Sequence, residues 1–275
     1  MYLVTGSTGN VGAELVRALI QAGAPARALT RADTGRPTPT GVQLAIGDLN
    51  RPETLRDALA DVRGVFLLPG YQDMKGLLAE AASAGVERVV LLSGSSADGD
   101  QSNAITRYMS ASEAAVHGSG LAWSVLRPSA FMSNTLEWVP QLRAGDLVRA
   151  PFAGTRAATV DPADIAAVAA LALLDPGHAG QTYRLTGPEA LLPADRVAVL
   201  AEVLGRPLRF AGQPDDDARA EMSASMPAEY LDAFFSFYVE GTLDESPVLP
   251  TVAELTGRPA RTFRRWAEAH AAELA

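Results

Sequence analysis

The chain has 275 residues, 48% hydrophobic and 20% charged, which is enough for one large domain or a domain with a lobe and excludes a disordered protein. Its 32 acidic residues outnumber 23 lysines and arginines, and the net charge of -9 disfavours nucleic-acid binding. The absence of cysteine excludes disulfides, zinc–thiolate sites and thiol nucleophiles, so redox chemistry needs a bound cofactor.

Short apolar or β-branched runs alternate with amphipathic helical stretches through the first half of the chain. The predicted strands are Tyr2–Thr5, Ala26–Thr30, Val42–Ile46, Gly64–Leu68, Arg88–Ser93 and Ala122–Arg127. The helices predicted between them include Ala13–Ala22, Leu55–Leu59 and Leu77–Ala84. This βαβ alternation predicts an α/β fold, a Rossmann-type doubly wound parallel sheet covered by helices on both faces.

The pattern changes after Pro128, where prolines and glycines interrupt it. Asp161 is predicted to cap the apolar helix Ile165–Leu174, and a strand and a helix follow at Tyr183–Thr186 and Pro193–Leu204. We predict that residues 1–134 and 157–187 form the nucleotide-binding domain. Residues 135–156 and 188–275 are predicted to form a smaller, mostly helical C-terminal lobe that binds the substrate.

The longest apolar stretch, Ile165–Leu174, is about half of the ~20 residues that a membrane span requires. No basic segment with an apolar core precedes the first predicted strand, so nothing resembles a signal peptide. We therefore expect a cytoplasmic protein without membrane contact.

A glycine-rich turn separates the first strand from the first helix, with the sequence Thr5-Gly6-Ser7-Thr8-Gly9-Asn10-Val11-Gly12. Glycines allow a tight turn and close approach of the backbone to a pyrophosphate at a helix N-terminus. The alternative is a tightly packed turn without a ligand. The position of the glycine turn inside a βαβ unit favours a dinucleotide site over that alternative. The predicted contacts are Gly6, Ser7, Thr8, Gly9, Asn10 and Val11.

The end of the second strand indicates which dinucleotide binds. An acid there would bind a ribose 2′-hydroxyl, whereas an arginine would pair with a 2′-phosphate. The strand is followed by Arg31, Asp33 lies two positions further on, and Arg36 could assist Arg31. NADP(H) is thus favoured over NAD(H), although a solvated surface arginine is the alternative.

Further cofactor contacts are predicted where the other strands end, because ligands bind at the carboxyl edge of such a sheet. Asp48 could accept a hydrogen bond from the adenine amine or cap the helix near Pro52, and the two roles are compatible. Other loops at this edge should line the rest of the cofactor site. The contacts predicted in these loops are Asp48, Leu49, Leu68, Pro69, Ser93 and Gly94.

The chain resembles the NmrA-like atypical short-chain dehydrogenases. The resemblance covers nearly the whole chain and is carried by the glycine turn, Leu-Thr-Arg at 29–31, Gly-Asp-Leu at 47–49, the run 119–134, Val-Asp-Pro-Ala-Asp at 160–164 and Tyr-Arg-Leu-Thr-Gly at 183–187. It implies the Rossmann fold and an NADP(H) cofactor. That family includes NADPH-dependent quinone, azo-dye and triphenylmethane reductases, and also redox-sensing regulators that bind the nucleotide without turnover.

Ordinary short-chain dehydrogenases use a Tyr-x-x-x-Lys pair, which this chain cannot form. Tyr108 is followed four residues later by Ser112, and Lys75 is the single lysine. In the resembling reductases a histidine often precedes the residue matching Glu113 by four positions, and here that position is Met109. Tyr108 is the candidate catalytic proton donor, with a surface or core role as the alternative.

Substrate contacts are expected from the loop after the sixth strand, at Phe131, Met132 and Asn134, although Phe131 and Met132 could instead pack in the lobe. Trp138 and the aromatic stretch 234–238 could form a lid or a subunit contact, and a homodimer is left open. The three histidines lack partners at ligand spacing, so no metal site is predicted.

The leading functional hypothesis is an NADPH-dependent oxidoreductase that transfers hydride to a small conjugated acceptor such as a quinone, an azo compound or a dye. Such acceptors delocalise the developing charge, so a strong acid is less necessary. Two alternatives remain: a nucleotide-sensing regulator without turnover, and a biosynthetic reductase or isomerase dedicated to one metabolite.

Overall fold

The computed structural model describes residues 1–32 and 40–275. Its strands are β1 (Tyr2–Val4), β2 (Ala26–Thr30), β3 (Val42–Ile46), β4 (Gly64–Leu67), β5 (Arg88–Leu92), β6 (Ala122–Pro128), β7 (Leu147–Ala150), β8 (Gln181–Leu185) and β9 (Arg209–Gly212). In this part of the chain a seven-stranded sheet has the order β3-β2-β1-β4-β5-β6-β8. Strands β1 to β6 pair in parallel with their neighbours, which confirms the predicted fold.

Helices alternate with these strands and then dominate the C-terminal part. They are α1 (Asn10–Gln21), α2 (Arg56–Leu59), α3 (Met74–Ser83), α4 (Ala104–His117), α5 (Val139–Ala144), α6 (Pro162–Leu174), α7 (Pro193–Leu204), α8 (Asp215–Ser223), α9 (Ala228–Tyr238), α10 (Thr251–Thr256), α11 (Phe263–Ala269) and α12 (Ala271–Leu274). Short 3-10 segments are Pro52–Leu55, Met132–Trp138 and Pro176–His178. None of the helices in the described ranges is long and apolar enough to cross a membrane.

The fold divides into two compact units. The first unit consists of Met1–Ala97, Tyr108–Pro128 and Pro162–Arg184, and the second of Asp98–Arg107, Ser129–Asp161 and Leu185–Ala275. This division differs from the predicted domains in assigning residues 98–107, 129–134, 157–161 and 185–187 to the second unit. The last three segments belong together because backbone hydrogen bonds join Met132 to Val160 and Ser129 to Leu185.

The first unit buries a core built from the middle of the sheet, with Leu3, Leu67, Leu91 and Val125 all at most 1% exposed. Helix α6 is apolar on every side and packs with α1 in the same unit. It begins directly after Asp161, where the sequence predicts the cap.

The second unit has its own core, in which Trp266, Phe263 and Leu200 are at most 1% exposed. The sequence predicts a mostly helical lobe and misses two strands in it. Strands β7 and β9 pair in parallel as a separate two-stranded sheet. Its register joins Val148 to Phe210, which are far apart in sequence, so no local pattern announces the pairing.

Candidate functional site

The glycine turn between β1 and α1 is tightly folded at two of its three glycines. Gly6 has a φ of +59°, and a Cβ atom there would lie 2.6 Å from Leu68 Cδ1. The Gly9 N–H donates to the Gly6 carbonyl over 2.9 Å, and a Cβ atom at Gly12 would overlap that carbonyl oxygen. At Gly9 a Cβ atom would meet only the Gly6 oxygen, at 3.3 Å, and the residue is exposed. Gly6 and Gly12 therefore shape the turn, while Gly9 borders open space.

Helix α1 begins after this turn without a capping side chain and without an acidic residue in its first turn. Its first N–H groups lack intrahelical acceptors and lie at the positive end of the helix dipole, which fits a bound phosphate. Thr8 and Asn10 are exposed, and the Ser7 hydroxyl donates to the Leu29 carbonyl over 3.2 Å. Val11 is 5% exposed, so only its backbone is available to a ligand.

Charged and aromatic groups meet where β2, β3 and β4 end. Arg31 is exposed directly after β2. A hydrogen bond from the Asn50 N–H is the main reason that the pKa of Asp48 is lowered, and the charges of Arg51 and Arg31 add to that effect. Burial raises the pKa of the Tyr71 phenol, and the charge of Arg31 opposes that shift. Arg31 is thus an exposed cation beside Asp48 and Tyr71.

The Asp48 carboxylate is used by its own loop. Its Oδ1 accepts from the Asn50 N–H at 3.0 Å, and its Oδ2 accepts from Arg51 Nε at 3.1 Å. These contacts lie before the 3-10 segment Pro52–Leu55, whose N-terminus has no side-chain cap among the described residues, so the capping role is wrong. The adenine contact stays a prediction. Leu49 is half-buried against the core. The predicted roles of Asp33 and Arg36 fall on residues outside the described ranges.

Tyr108 supports the loop after β4. Its hydroxyl donates to the Pro69 carbonyl over 2.9 Å, and its ring occupies the space where a Gly70 side chain would stand. Gly70 has a φ of +86°, and its N–H donates to Ser112 Oγ over 3.0 Å. The phenol is therefore engaged in holding the Pro69–Gly70 turn, which favours the structural alternative over proton donation.

Ser93 belongs to a buried network behind the end of β5. Its hydroxyl donates to Glu113 Oε1 over 2.6 Å, and Arg127 donates to both Glu113 oxygens over 2.9 and 2.7 Å. Ser93 and Glu113 are each 4% exposed. A paired carboxylate of this kind positions the strand end, and a ligand contact at Ser93 would come from its backbone.

Helix α4 presents Met109 to the carboxyl end of β5. A Cβ atom at Gly94 would lie 3.4 Å from Met109 Cε. This is the position at which the resemblance leads one to expect a histidine in many of the reductases. A thioether cannot donate a proton, so residue 109 provides an apolar surface beside Gly94.

A cavity of about 680 Å³ lies within the second unit, a volume suited to a small organic molecule. Its apolar wall is formed mainly by aromatic and methionine side chains, namely Trp138, Phe152, Met222, Met226, Phe234 and Tyr238. Its charged lining residues are Glu137, Arg149, Arg196, Glu221 and Glu245. The cavity thus offers a ligand both aromatic surface and charged groups.

The three predicted substrate residues take different positions. Asn134 is exposed and lines the cavity. Met132 is 1% exposed and belongs to the core of the second unit, which is the packing alternative. Phe131 is half-buried, and its backbone forms a bridge with Val160. The geometry thus supports a ligand contact at Asn134.

Glu245 joins several parts of the cavity wall. It is 6% exposed, its Oε1 accepts from the Ala130 N–H at 2.9 Å, and its Oε2 accepts from the Tyr238 hydroxyl at 3.0 Å. Burial raises the pKa of Tyr238 well above its ordinary value, and Glu245 adds to the shift. Tyr238 therefore stays a protonated donor.

Of the two arginines that line the cavity, Arg196 is more buried than Arg149. Burial lowers its pKa to about 10, so it is still charged at neutral pH. Its guanidinium carbon lies 5.0 Å from the centroid of the Trp138 ring. Desolvation raises the pKa of Glu137 on the same wall, and the charge of Arg196 opposes that shift.

Two of these residues, Tyr71 and Arg196, are absent from the predicted set. Arg196 lies four positions before Leu200 and next to Val197, both buried, so the helical period of the predicted Pro193–Leu204 helix turns it inward. That signal is present in the sequence. Tyr71 carries no such signal, because it lies in a loop.

No cluster of histidine and acidic side chains suited to a metal occurs among residues 1–32 and 40–275.

Comparison with known proteins connects this geometry to reductases. The profile of the NmrA-like family matches residues 2–254. The (4-alkanoyl-5-oxo-2,5-dihydrofuran-3-yl)methyl phosphate reductase of Streptomyces griseus is 42% identical over 285 residues, covering 100% of this chain and 99% of that protein. The NAD(P)H azoreductase of Xenophilus azovorans is 39% identical over 281 residues, covering 99% of this chain and 98% of that protein.

Solved structures show the same fold. The NADPH-dependent quinone oxidoreductase of Escherichia coli in complex with NADPH has a TM-score of 0.81 at 21% identity, covering 98% of this chain and 99% of that one. The triphenylmethane reductase of a Citrobacter species with NADP(H) has a TM-score of 0.80 at 19% identity, covering 98% and 100%.

Proposed function

Because the chain belongs to the NmrA-like family, we propose that it binds NADPH on the glycine turn and reduces a small conjugated acceptor held in the cavity of the second unit. It is an NAD(P)H-dependent oxidoreductase, since it matches one reductase and one NAD(P)H azoreductase over nearly its whole length. The glycine turn carries the proposal, since Gly6 and Gly12 leave no room for side chains and Gly9 leaves space beside the uncapped start of α1.

The preference for NADPH over NADH is part of the proposal. Arg31 is exposed directly after β2, and no acidic residue stands within that strand. A guanidinium at this position pairs with a 2′-phosphate through charge-assisted hydrogen bonds. Tyr71 and Arg31 would then bound the adenosine end, while the open N–H groups of α1 hold the diphosphate.

When bound, the nicotinamide supplies the hydride. The chain supplies binding and orientation: aromatic walls such as Trp138 and Phe234 hold the acceptor flat and reduce its contact with water. Met109 offers no proton, and the Glu113 carboxylate is paired with Arg127. An acceptor that delocalises the transferred charge and takes its proton from water fits this site.

Tyr108→Phe is expected to change kcat by less than about threefold, because the phenol holds the Pro69 carbonyl. Loss of a general acid would instead lower kcat by about 100-fold or more. Steady-state rates at saturating NADPH distinguish the two. Thermal melting of the same variant should show a small loss, about 1 kcal/mol, for the missing hydrogen bond.

The direct test is to measure reduced-nicotinamide absorbance with NADPH or NADH and a panel of quinones, azo dyes and triphenylmethane dyes, after calorimetry has established binding. Oxidation of NADPH that depends on an acceptor supports the proposal. Tight nucleotide binding with no turnover of any acceptor or of a metabolite extract would contradict it and point to a sensing regulator.

A biosynthetic reductase dedicated to one metabolite is a second candidate. It is favoured by the 42% identity to a reductase that acts on a furanone bearing a methyl phosphate. Turnover of such a phosphate ester at much higher kcat/KM than any dye would support it.

A cytoplasmic location and homodimer formation remain predictions. Cell fractionation would test the location, and sedimentation would test the oligomeric state.

A further inference from the structure

Arg196 lines the cavity and has no ion-pair partner in the part of the chain that the structure describes. Its Nε atom is buried and has no hydrogen-bond partner, and within the described residues no carboxylate lies within ion-pair distance of its guanidinium. Buried cations in proteins are usually paired, because desolvation of an unpaired charge is costly. The position therefore fits a group that gains its partner when a ligand binds.

The surroundings hold the guanidinium in place without using its donors. Its carbon lies 5.0 Å from the centroid of the Trp138 ring, a cation–π contact that uses none of the N–H donors in a hydrogen bond. Helix α7 fixes the backbone, since Arg196 lies in its first turn beside the buried Val197. The donor fork is thus preorganised at the cavity wall.

Most other charged groups of the cavity already have partners. Arg149 pairs with Asp217 at 3.9 Å, and Glu221 accepts from Gln213 over 2.7 Å. Glu245 accepts the two hydrogen bonds described above. Glu137 remains as the carboxylate that acts on Arg196, although the two do not form an ion pair.

We propose that Arg196 binds an oxyanion group of the acceptor, a phosphate or a carboxylate, through its guanidinium fork. The favoured substrate is then a conjugated compound with an acidic substituent, whose apolar part lies against Trp138 and Phe234. This inference rests on the proposed reductase function and specifies its substrate class.

Arg196→Gln tests the proposal with matched acceptors: menadione against a naphthoquinone carboxylate, and azobenzene against its carboxylate derivative. We expect KM for the anionic member of each pair to rise roughly 10- to 100-fold, as for loss of a charged hydrogen bond. The neutral member should change little. Arg143→Gln, at an exposed arginine of the same unit, is the matched control and should behave like wild type. Equal effects on both members would overturn the proposal.

Glu137→Gln removes the negative charge that acts on Arg196. If an oxyanion binds beside Arg196, this change should tighten binding of anionic acceptors and leave neutral ones unchanged. Unchanged or weaker binding of the anionic acceptors would show that no oxyanion lies near Arg196, and the proposal would be wrong.

Calorimetric titration with phenyl phosphate and benzoate gives a readout that needs no turnover. Binding of either probe to wild type and its loss in Arg196→Gln supports an oxyanion site, and the stronger probe identifies the preferred group. No binding of either probe, with neutral acceptors still reduced, would contradict the oxyanion site alone. Absence of turnover with all acceptors, with the probes still bound, would contradict the reductase function alone.

Discussion

Gly9→Val is expected to abolish binding of both NADPH and NADH, weakening affinity by at least about 100-fold, or about 2.7 kcal/mol. Gly9 has φ -87° and ψ 175°, an extended conformation that valine adopts without strain. Its Cβ would contact only the Gly6 carbonyl, at 3.3 Å, so the fold should survive. The added methyl groups would fill the space beside the first N–H groups of α1. Calorimetric titration with each nucleotide measures the loss.

Two further variants separate folding from binding. Gly9→Ala adds a single methyl group and should give a smaller loss of affinity than valine. Gly12→Ala places its Cβ against the Gly6 carbonyl oxygen and should lower the melting temperature as well. If Gly9→Val bound either nucleotide with wild-type affinity, the pyrophosphate would lie elsewhere.

Arg31→Asp is expected to reverse the nucleotide preference. Loss of the guanidinium removes charged hydrogen bonds to the 2′-phosphate, each worth roughly 1.5–3 kcal/mol, and the new carboxylate adds repulsion. NADPH affinity should therefore fall by about 10- to 150-fold or more. NADH should bind at least as well as to wild type, because an acid at this strand end can accept from the ribose 2′-hydroxyl.

Arg56→Asp is the matched control for that experiment. Arg56 is exposed on α2 in the same unit, and its substitution changes the net charge by the same amount. It should leave the ratio of NADPH to NADH affinity unchanged, since long-range charge effects are screened by salt. Unchanged NADPH affinity in Arg31→Asp would contradict the assignment of Arg31 to the 2′-phosphate.

The strands of the large sheet are the part of the fold that could be predicted most closely. Ala26–Thr30 and Val42–Ile46 match β2 and β3 at both ends, and the other four strands predicted in the first half match within one residue. The predicted strand Tyr183–Thr186 starts two residues after β8 does and ends one residue later. Short apolar or β-branched runs that end at turn residues are typical of such strands, so the local pattern contains the answer. The predicted helix Pro193–Leu204 matches α7 for the same reason.

The second unit was less predictable. Strands β7 and β9 have four residues each, and they pair across a separation of some sixty residues, so neither carries a recognisable signal. The burial of Met132 in the core depends on partners from α7 and α11, which lie far along the chain. Residue type alone cannot distinguish an apolar side chain in such a core from one that faces a ligand.

The sequence by itself determined the sheet, the glycine turn and the class of cofactor, because those depend on local periodicity and on glycines at fixed offsets within one strand–turn–helix unit. Only the tertiary structure decided that the Tyr108 phenol is bonded to the Pro69 carbonyl and that Arg196 has no ion-pair partner among the described residues. Such facts depend on which distant side chains meet, since desolvation and hydrogen-bond pairing act over a few ångströms in space.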